Sequence, residues 1–228
     1  MPSPSTPRVV VQPVAGDRRW DDVELGHGES PDAAATRSVG HPVVVVALLS
    51  ADVVEGVLVL SLEVRRAAAD DPVPAVTRSV AGVRTRRIGA YAVVLAAGRI
   101  LLTQLAQDTP APGAWTLPGG GLDEGESPLR GVLREVHEET AHELVAPRLL
   151  DVDSTRFSGH APSGRLEDFH GIGVIYAASV REVLEPRVLD VGGSTAAAAW
   201  VRLEDLKDLP MTPRDSRRLA RVLTLAQA

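Results

Sequence analysis

Apolar and polar positions are patterned most sharply in the second two-thirds of the chain. Ile88 to Leu95 is a β-branched and apolar run, Ala96-Ala97-Gly98 breaks it, and Arg99 to Leu105 resumes it, which predicts a β-hairpin. Asp108 to Ala114 (DTPAPGA) is rich in turn formers, Trp115-Thr116-Leu117 reads as a short strand, and Pro118-Gly119-Gly120-Gly121 ends it. Ser127-Pro128 then supplies a capping residue and a first-turn proline, so a helix is expected from there to about Ala141. Further strands are predicted at Leu144–Val152, Phe169–Ala178 and Ala197–Val201, and Pro213–Gln227 carries Leu219, Val222 and Leu223 at the spacing of an amphipathic helix.

The first part of the chain is less regular. Residues 1–40 are rich in Pro, Ser, Gly, Ala and charge without periodicity and read as a mobile arm. Val43–Leu49 and Val57–Val64 flank Ser50–Gly56, which fits a hairpin or a strand followed by a helix. Residues 67–86 hold two prolines and a glycine among charges and read as a linker. The expected organisation is an N-terminal extension over 1–86, weakly structured or strand-forming, and an α/β domain over 87–228. No internal repeat is visible.

Composition narrows the function. The chain has 228 residues, is 44% hydrophobic and 24% charged, and carries a net charge of −6. Such an acidic chain lacks the electrostatic footprint of a nucleic-acid binder, and a phosphate-bearing ligand would need a cation between like charges. Aromatic residues are only 3%, which argues against a stacking platform for single strands. Cysteine is absent, so disulfides, thiolate nucleophiles and Cys-based zinc sites are excluded, and a reducing cytoplasm fits. The opening MPSPSTPR leads into no apolar run, and Val43–Leu49 is far short of the ~20 residues of a membrane helix, so neither secretion signal nor membrane span is expected.

The candidate chemistry lies in Gly119 to His142, GGGLDEGESPLRGVLREVHEETAH. At about 100° per residue, Glu135, Glu138, Glu139 and His142 share one face, and Leu129, Val132, Leu133 and Val136 form the neighbouring stripe expected to pack on a sheet. Glutamates spaced i,i+3 and i,i+4 repel by a few tenths of a kcal/mol per pair unless a cation sits among them. All-oxygen donors suit Mg2+ or Mn2+ better than zinc. Arg134 flanks the acids and can fork onto a carboxylate, the preceding glycines admit close backbone approach, and Glu126 adds a loop acid.

With Gly120, Glu126, Arg134, Glu135, Val136, Glu138 and Glu139 in register, the segment matches G-x5-E-x7-R-E-(aliphatic)-x-E-E. It resembles the Nudix box, and Trp115 to Gly120 resembles the W-x-L-P-G-G that precedes it in many Nudix hydrolases. The resemblance implies an α/β/α sandwich with a mixed sheet and hydrolysis of a nucleoside diphosphate linked to another moiety: a nucleotide sugar, a dinucleotide or a modified nucleoside triphosphate. It implies that Glu135, Glu138 and Glu139 bind metal with the Gly119 carbonyl, that Glu135 can act as general base, that Arg134 orients a glutamate, and that Gly120 and Glu126 support the loop. The box usually ends in Gly and an aliphatic residue, where this chain has Ala141 and His142. Ala141 takes a left-handed cap less cheaply than glycine, and His142 reads as a surface or capping residue.

Outside the box, Glu167, Asp168, Glu182 and Glu185 are candidate distal bases, and Tyr91, Trp115, Phe157 and Phe169 are aromatics that could stack on a base or simply pack. The proline that ADP-ribose-specific members often carry beyond the box is missing near Ser158. Gly192-Gly193-Ser194-Thr195 resembles a tail of bacterial Nudix proteins, without the acid that often follows the threonine. A nucleotide sensor without turnover is the alternative reading, and the complete glutamate set disfavours it. The Val-rich N-terminal stretches would suit strand pairing across a homodimer.

Overall fold

The computed structural model describes residues 6–71, 81–160 and 164–226. In chain order the elements are β1 (Arg8–Ala15), β2 (Arg18–Arg19), β3 (Val23–Glu24), α1 (Pro31–Val39), β4 (Val43–Val54), β5 (Val57–Arg66), β6 (Val83–Ala96), β7 (Arg99–Leu105), β8 (Trp115–Thr116), β9 (Gly119–Gly121), α2 (Pro128–Thr140), β10 (Leu144–His160), β11 (Leu166–Val180), β12 (Thr195–Arg202), a 3-10 turn (Leu203–Asp208) and α3 (Pro213–Ala226). One sheet runs β2-β1-β5-β4 with β3 also on β1, and a second runs β10-β11-β6-β7-β12 with β8 on β7 and β9 on β6. This is an α/β fold with N-terminal strands. By contact density the chain falls into two compact units, one of residues 1–89, 122–128 and 151–174, the other of 90–121, 129–150 and 175–228.

The first unit corrects the reading of 1–40 as a mobile arm. β1 buries Val9 and Val11 completely and pairs in parallel with β5, from Arg8 on Val57 to Val14 on Glu63. α1 is capped at both ends: Ser30 Oγ accepts from the Ala33 N–H, Pro31 opens the helix, and Gly40 closes it at φ 82° with its N–H on the Thr36 carbonyl. Asp32 and Thr36 of α1 also accept the Val45 and Val43 amides, which covers part of the β4 edge. β4 and β5 form an antiparallel hairpin, the first of the two forms expected for 43–64. Of the stretch expected as a linker, residues 72–80 lie outside the described residues, and 83–86 already belong to β6.

A buried polar network joins distant parts of this unit. Arg156 Nε donates to Asp168 Oδ1 at 2.7 Å, and His27 Nε2 lies 3.3 Å from the other carboxylate oxygen. His170 Nδ1 accepts the Gly28 N–H at 3.0 Å and faces Arg86 Nε at 3.3 Å, so its proton sits on Nε2, against Ser154 Oγ at 3.0 Å. Arg86 also donates to the Pro7 and Leu25 carbonyls.

Burial, then the positive charge of Arg86 with His27 and Arg156, against the opposing pull of Asp168, lowers the His170 pKa to about 4. The folded state therefore resists a proton that the unfolded chain takes near 6.5. The contribution of His170 to stability is complete above pH 6.5 and is lost as pH falls from there toward 4. Compared by urea denaturation at pH 7.5 and 5.0, wild type is expected to lose about 2 kcal/mol more on acidification than His170→Gln does, the variant cancelling the opposite contribution of other groups such as Glu139.

In the second unit, Val93, Ile100, Leu102, Leu117, Ile175, Leu219 and Val222 form the core. α3 contributes Leu219 and Val222, as its spacing predicts, and holds Arg218 over the Tyr91 ring at 4.2 Å. β6 and β7 form the expected hairpin. β10 and β11 are longer than the strands predicted at 144–152 and 169–178. Among the described residues no helix is long and apolar enough to cross a membrane.

Candidate active site

α2 begins at Pro128, as the Ser127-Pro128 pair predicts, but it is rotated relative to the expected stripe. Val132 and Val136 are buried, Leu129 and Leu133 are 41% and 37% exposed, and Glu139 and Thr140 are buried instead. On the wheel Glu139 falls about 20° from Val132 and 60° from Val136, inside the packed arc, while Leu133 lies at its far margin. The glutamates thus sit at graded depth: Glu138 is 41% exposed, Glu135 17% and Glu139 6%.

Each carboxylate has a defined hold. Arg134 Nη1 donates to Glu135 at 2.9 Å and to Glu138 at 3.1 Å, while Nη2 reaches the Gly121 carbonyl at 3.2 Å. Glu139 accepts the Gly119 N–H at 2.8 Å and the Thr195 hydroxyl. Burial raises the Glu139 pKa to about 7, and the charges of Glu135 and Glu138 add to the rise against the hydrogen bonds from Thr195 and Gly119.

The glycines admit these contacts. Gly119 has φ 133°, and a side chain there would run into the Ala90 carbonyl oxygen and come within 2.7 Å of Tyr91 Cα. A Cβ at Gly120 would stand 2.7 Å from the Glu135 carboxyl carbon, so glycine lets that carboxylate lie on the loop backbone. Glu126, in the first unit, accepts the Asp123 N–H at 3.1 Å and closes its own turn.

The last carbonyls of α2 are satisfied by the chain returning from β11. Arg187 N–H donates to Thr140 O, and the Leu189 and Asp190 amides donate to Glu138 O. Glu135, Glu138 and Glu139 consequently line one cleft with Val188, Asp190, Ser194 and Thr195.

Asp190 was not among the acids the sequence suggested. It stands in a segment without regular structure, and only its proximity to Gly192-Gly193-Ser194-Thr195 pointed to it. Those that were suggested lie elsewhere: Asp168 is locked on Arg156, which holds its carboxyl below the usual range, Glu167 pairs with Arg165, and Glu182 and Glu185 are exposed and do not line the cleft. The aromatics are engaged in packing: Tyr91 under Arg218, Trp115 against the core, and Phe157 on Phe169 with ring centroids 4.8 Å apart.

Among the described residues no three His, Asp or Glu side chains converge as a metal-binding set in their present rotamers. The donor chemistry nonetheless fits a hard cation: three carboxylates on one cleft, one of them buried against the charge of the others, with Arg134 bridging the outer two.

The NUDIX domain model matches residues 84–222. Nucleoside triphosphatase NudI of Escherichia coli is 31% identical over 132 residues, 55% of this chain and 90% of the relative. Among solved structures, a MutT NUDIX hydrolase from Burkholderia pseudomallei is 32% identical, covering 60% of this chain and 98% of its own with a TM-score of 0.49. The NUDIX domain of Shewanella oneidensis NrtR, complexed with ADP ribose, is 22% identical over 63% of this chain and 87% of its own, with a TM-score of 0.46. The chain belongs to the Nudix hydrolase family, a class of pyrophosphohydrolases.

Proposed function

We propose that this protein hydrolyses a phosphoanhydride bond of a nucleotide-type substrate with the help of Mg2+ or Mn2+. The observation that carries this reading is the cleft lined by Glu135, Glu138 and Glu139, with Glu139 held on the Gly119 N–H. These three carboxylates and the Gly119 carbonyl would hold the metal, which when bound neutralises charge on the phosphates and polarises them toward attack. Glu135 is the general base: it takes a proton from a water that attacks phosphorus, the new P–O bond forms, and the bond to the departing phosphate breaks. Arg134, held on Glu135 and Glu138, orients them, and Thr195 and the Gly119 N–H orient Glu139.

The kinship with a nucleoside triphosphatase favours triphosphates as the first substrates to try. Phosphate release should be measured from nucleoside triphosphates, modified triphosphates, nucleotide sugars and dinucleotides, with and without Mg2+ or Mn2+. Metal-dependent turnover concentrated in one substrate class is expected. Saturable binding across the panel without turnover would overturn the enzyme reading in favour of a sensor.

A further inference from the structure

Between Val180 and Thr195 the chain has no regular secondary structure, yet it delivers Val188, Asp190 and Ser194 to the carboxylate cleft, where β12 adds Thr195. Little apolar burial holds it there: Pro186 is buried, but Val183, Leu184, Leu189 and Val191 are all exposed. Its placement therefore rests mainly on polar tethers to its neighbours.

Three of these tethers are the amides of Arg187, Leu189 and Asp190 on the last carbonyls of α2, at 3.1, 2.7 and 3.2 Å. The two ends are held by the Arg181 N–H on the Glu143 carbonyl and by the Ala106 N–H on the Ser194 carbonyl, and between them two further bonds converge on a single atom, the Leu184 carbonyl oxygen. His142 Nε2 lies 3.2 Å from it and Trp200 Nε1 donates to it at 2.9 Å. The His142 ring is buried, packs edge-on against Trp200 at 5.5 Å, and faces the Thr140 carbonyl with Nδ1 at 3.0 Å. A neutral imidazole carries one ring proton: on Nε2 it donates to the Leu184 carbonyl of the returning segment, and Nδ1 then accepts from the Thr140 hydroxyl, 3.2 Å away at the end of α2. Burial excludes the surface alternative of the sequence reading at 142 and leaves the capping one, with the residue seated on Thr140 at the helix end. An aliphatic side chain there would fill the space and reach neither oxygen.

We propose that His142 is a positioning residue which, with Trp200, pins the Leu184 carbonyl and so lays residues 185–194 across the end of α2, with Asp190 in the cleft beside Thr195 of β12. The proposal rests on the reading of that cleft as the hydrolytic site. It needs no contact between His142 and substrate, because the imidazole acts through the backbone it holds.

The test compares His142→Leu, His142→Gln and Trp200→Phe by amide hydrogen exchange, without metal or substrate, and by kcat and KM. His142→Leu should speed exchange at the Arg187, Leu189 and Asp190 amides at least tenfold while β6 and β7 exchange as before. It should lower kcat about tenfold and leave KM within threefold. His142→Gln, whose amide can donate to the Leu184 carbonyl, should recover most of both effects. Trp200→Phe should move the same amides in the same direction by a smaller factor, which keeps the test open if the Leu variant folds poorly. Unchanged exchange at the three amides, a uniform rise across the whole unit, or a Gln variant no better than Leu would each overturn the proposal. Exchange is read without turnover, so a wild-type protein inactive on every substrate would refute the hydrolase reading and leave the tether to be decided on its own data.

Discussion

Glu139→Gln should lower kcat by about 10²–10⁴-fold and, in the same molecule, raise the melting temperature of the metal-free protein at pH 8. Both effects follow from where the carboxylate stands. It is 6% exposed, beside Glu135 and Glu138, and holds the Gly119 N–H and the Thr195 hydroxyl. Glutamine keeps an acceptor for the Gly119 amide but carries no charge into the buried position. Relieving that charge is expected to add about 1 kcal/mol or more, which corresponds to roughly 2–4 °C in a domain of this size. Calorimetry beside phosphate release checks the pair. A variant that is inactive and less stable would mean that Glu139 serves the fold, whereas inactive and more stable is the signature of a group kept for chemistry at the expense of stability.

Gly119→Ala is expected to destabilise the protein by about 3–5 kcal/mol, whereas Gly121→Ala, two residues along the same strand, should cost less than about 1 kcal/mol. The contrast is geometric. At Gly119 the added carbon meets the backbone of Ala90 and Tyr91 in β6, and φ is 133°, a region closed to other residues. The neighbouring Ala92 N–H is bonded to the Pro118 carbonyl, which ties the loop to the same strand. At Gly121 nothing lies within 4 Å, and the carbonyl that receives Arg134 belongs to the backbone and survives the change. Urea midpoints of the two variants measure the difference directly.

Those parts of the molecule that announce themselves within a few residues were legible in the sequence. The β6–β7 hairpin declares itself by two apolar runs around Ala97-Gly98, α2 by its Ser-Pro start, and the carboxylate set by spacing along one helix. The same Ser-Pro signal stands at Ser30-Pro31, with Gly40 in place at the far end, but α1 is short and alanine-rich and shows little contrast between its faces. β1 was missed because its long partner, β5, lies far along the chain and pairs in parallel, so no turn links the two in sequence. Asp190 was missed for a related reason: its place in the cleft comes from the backbone hydrogen bonds of an irregular segment, which leave no periodic trace. At Ala141 the reading of a helix cap without glycine holds, since the residue adopts φ 60° and still donates its N–H to the His137 carbonyl.

The parallel pairing of β1 with β5 and the discontinuous make-up of the first unit also bear on the order in which the chain can acquire its structure. During synthesis β1 can join the two-residue strands β2 and β3 at once, but its long partner β5 follows later, and the polar network around His170 waits longer still, for Ser154, Arg156 and Asp168. Until then His27 and Arg86 lack the partners that this network gives them. The residues made first are therefore among the last to be secured, and by the time the unit closes at Val174 the ribosome has already delivered the whole of the carboxylate helix.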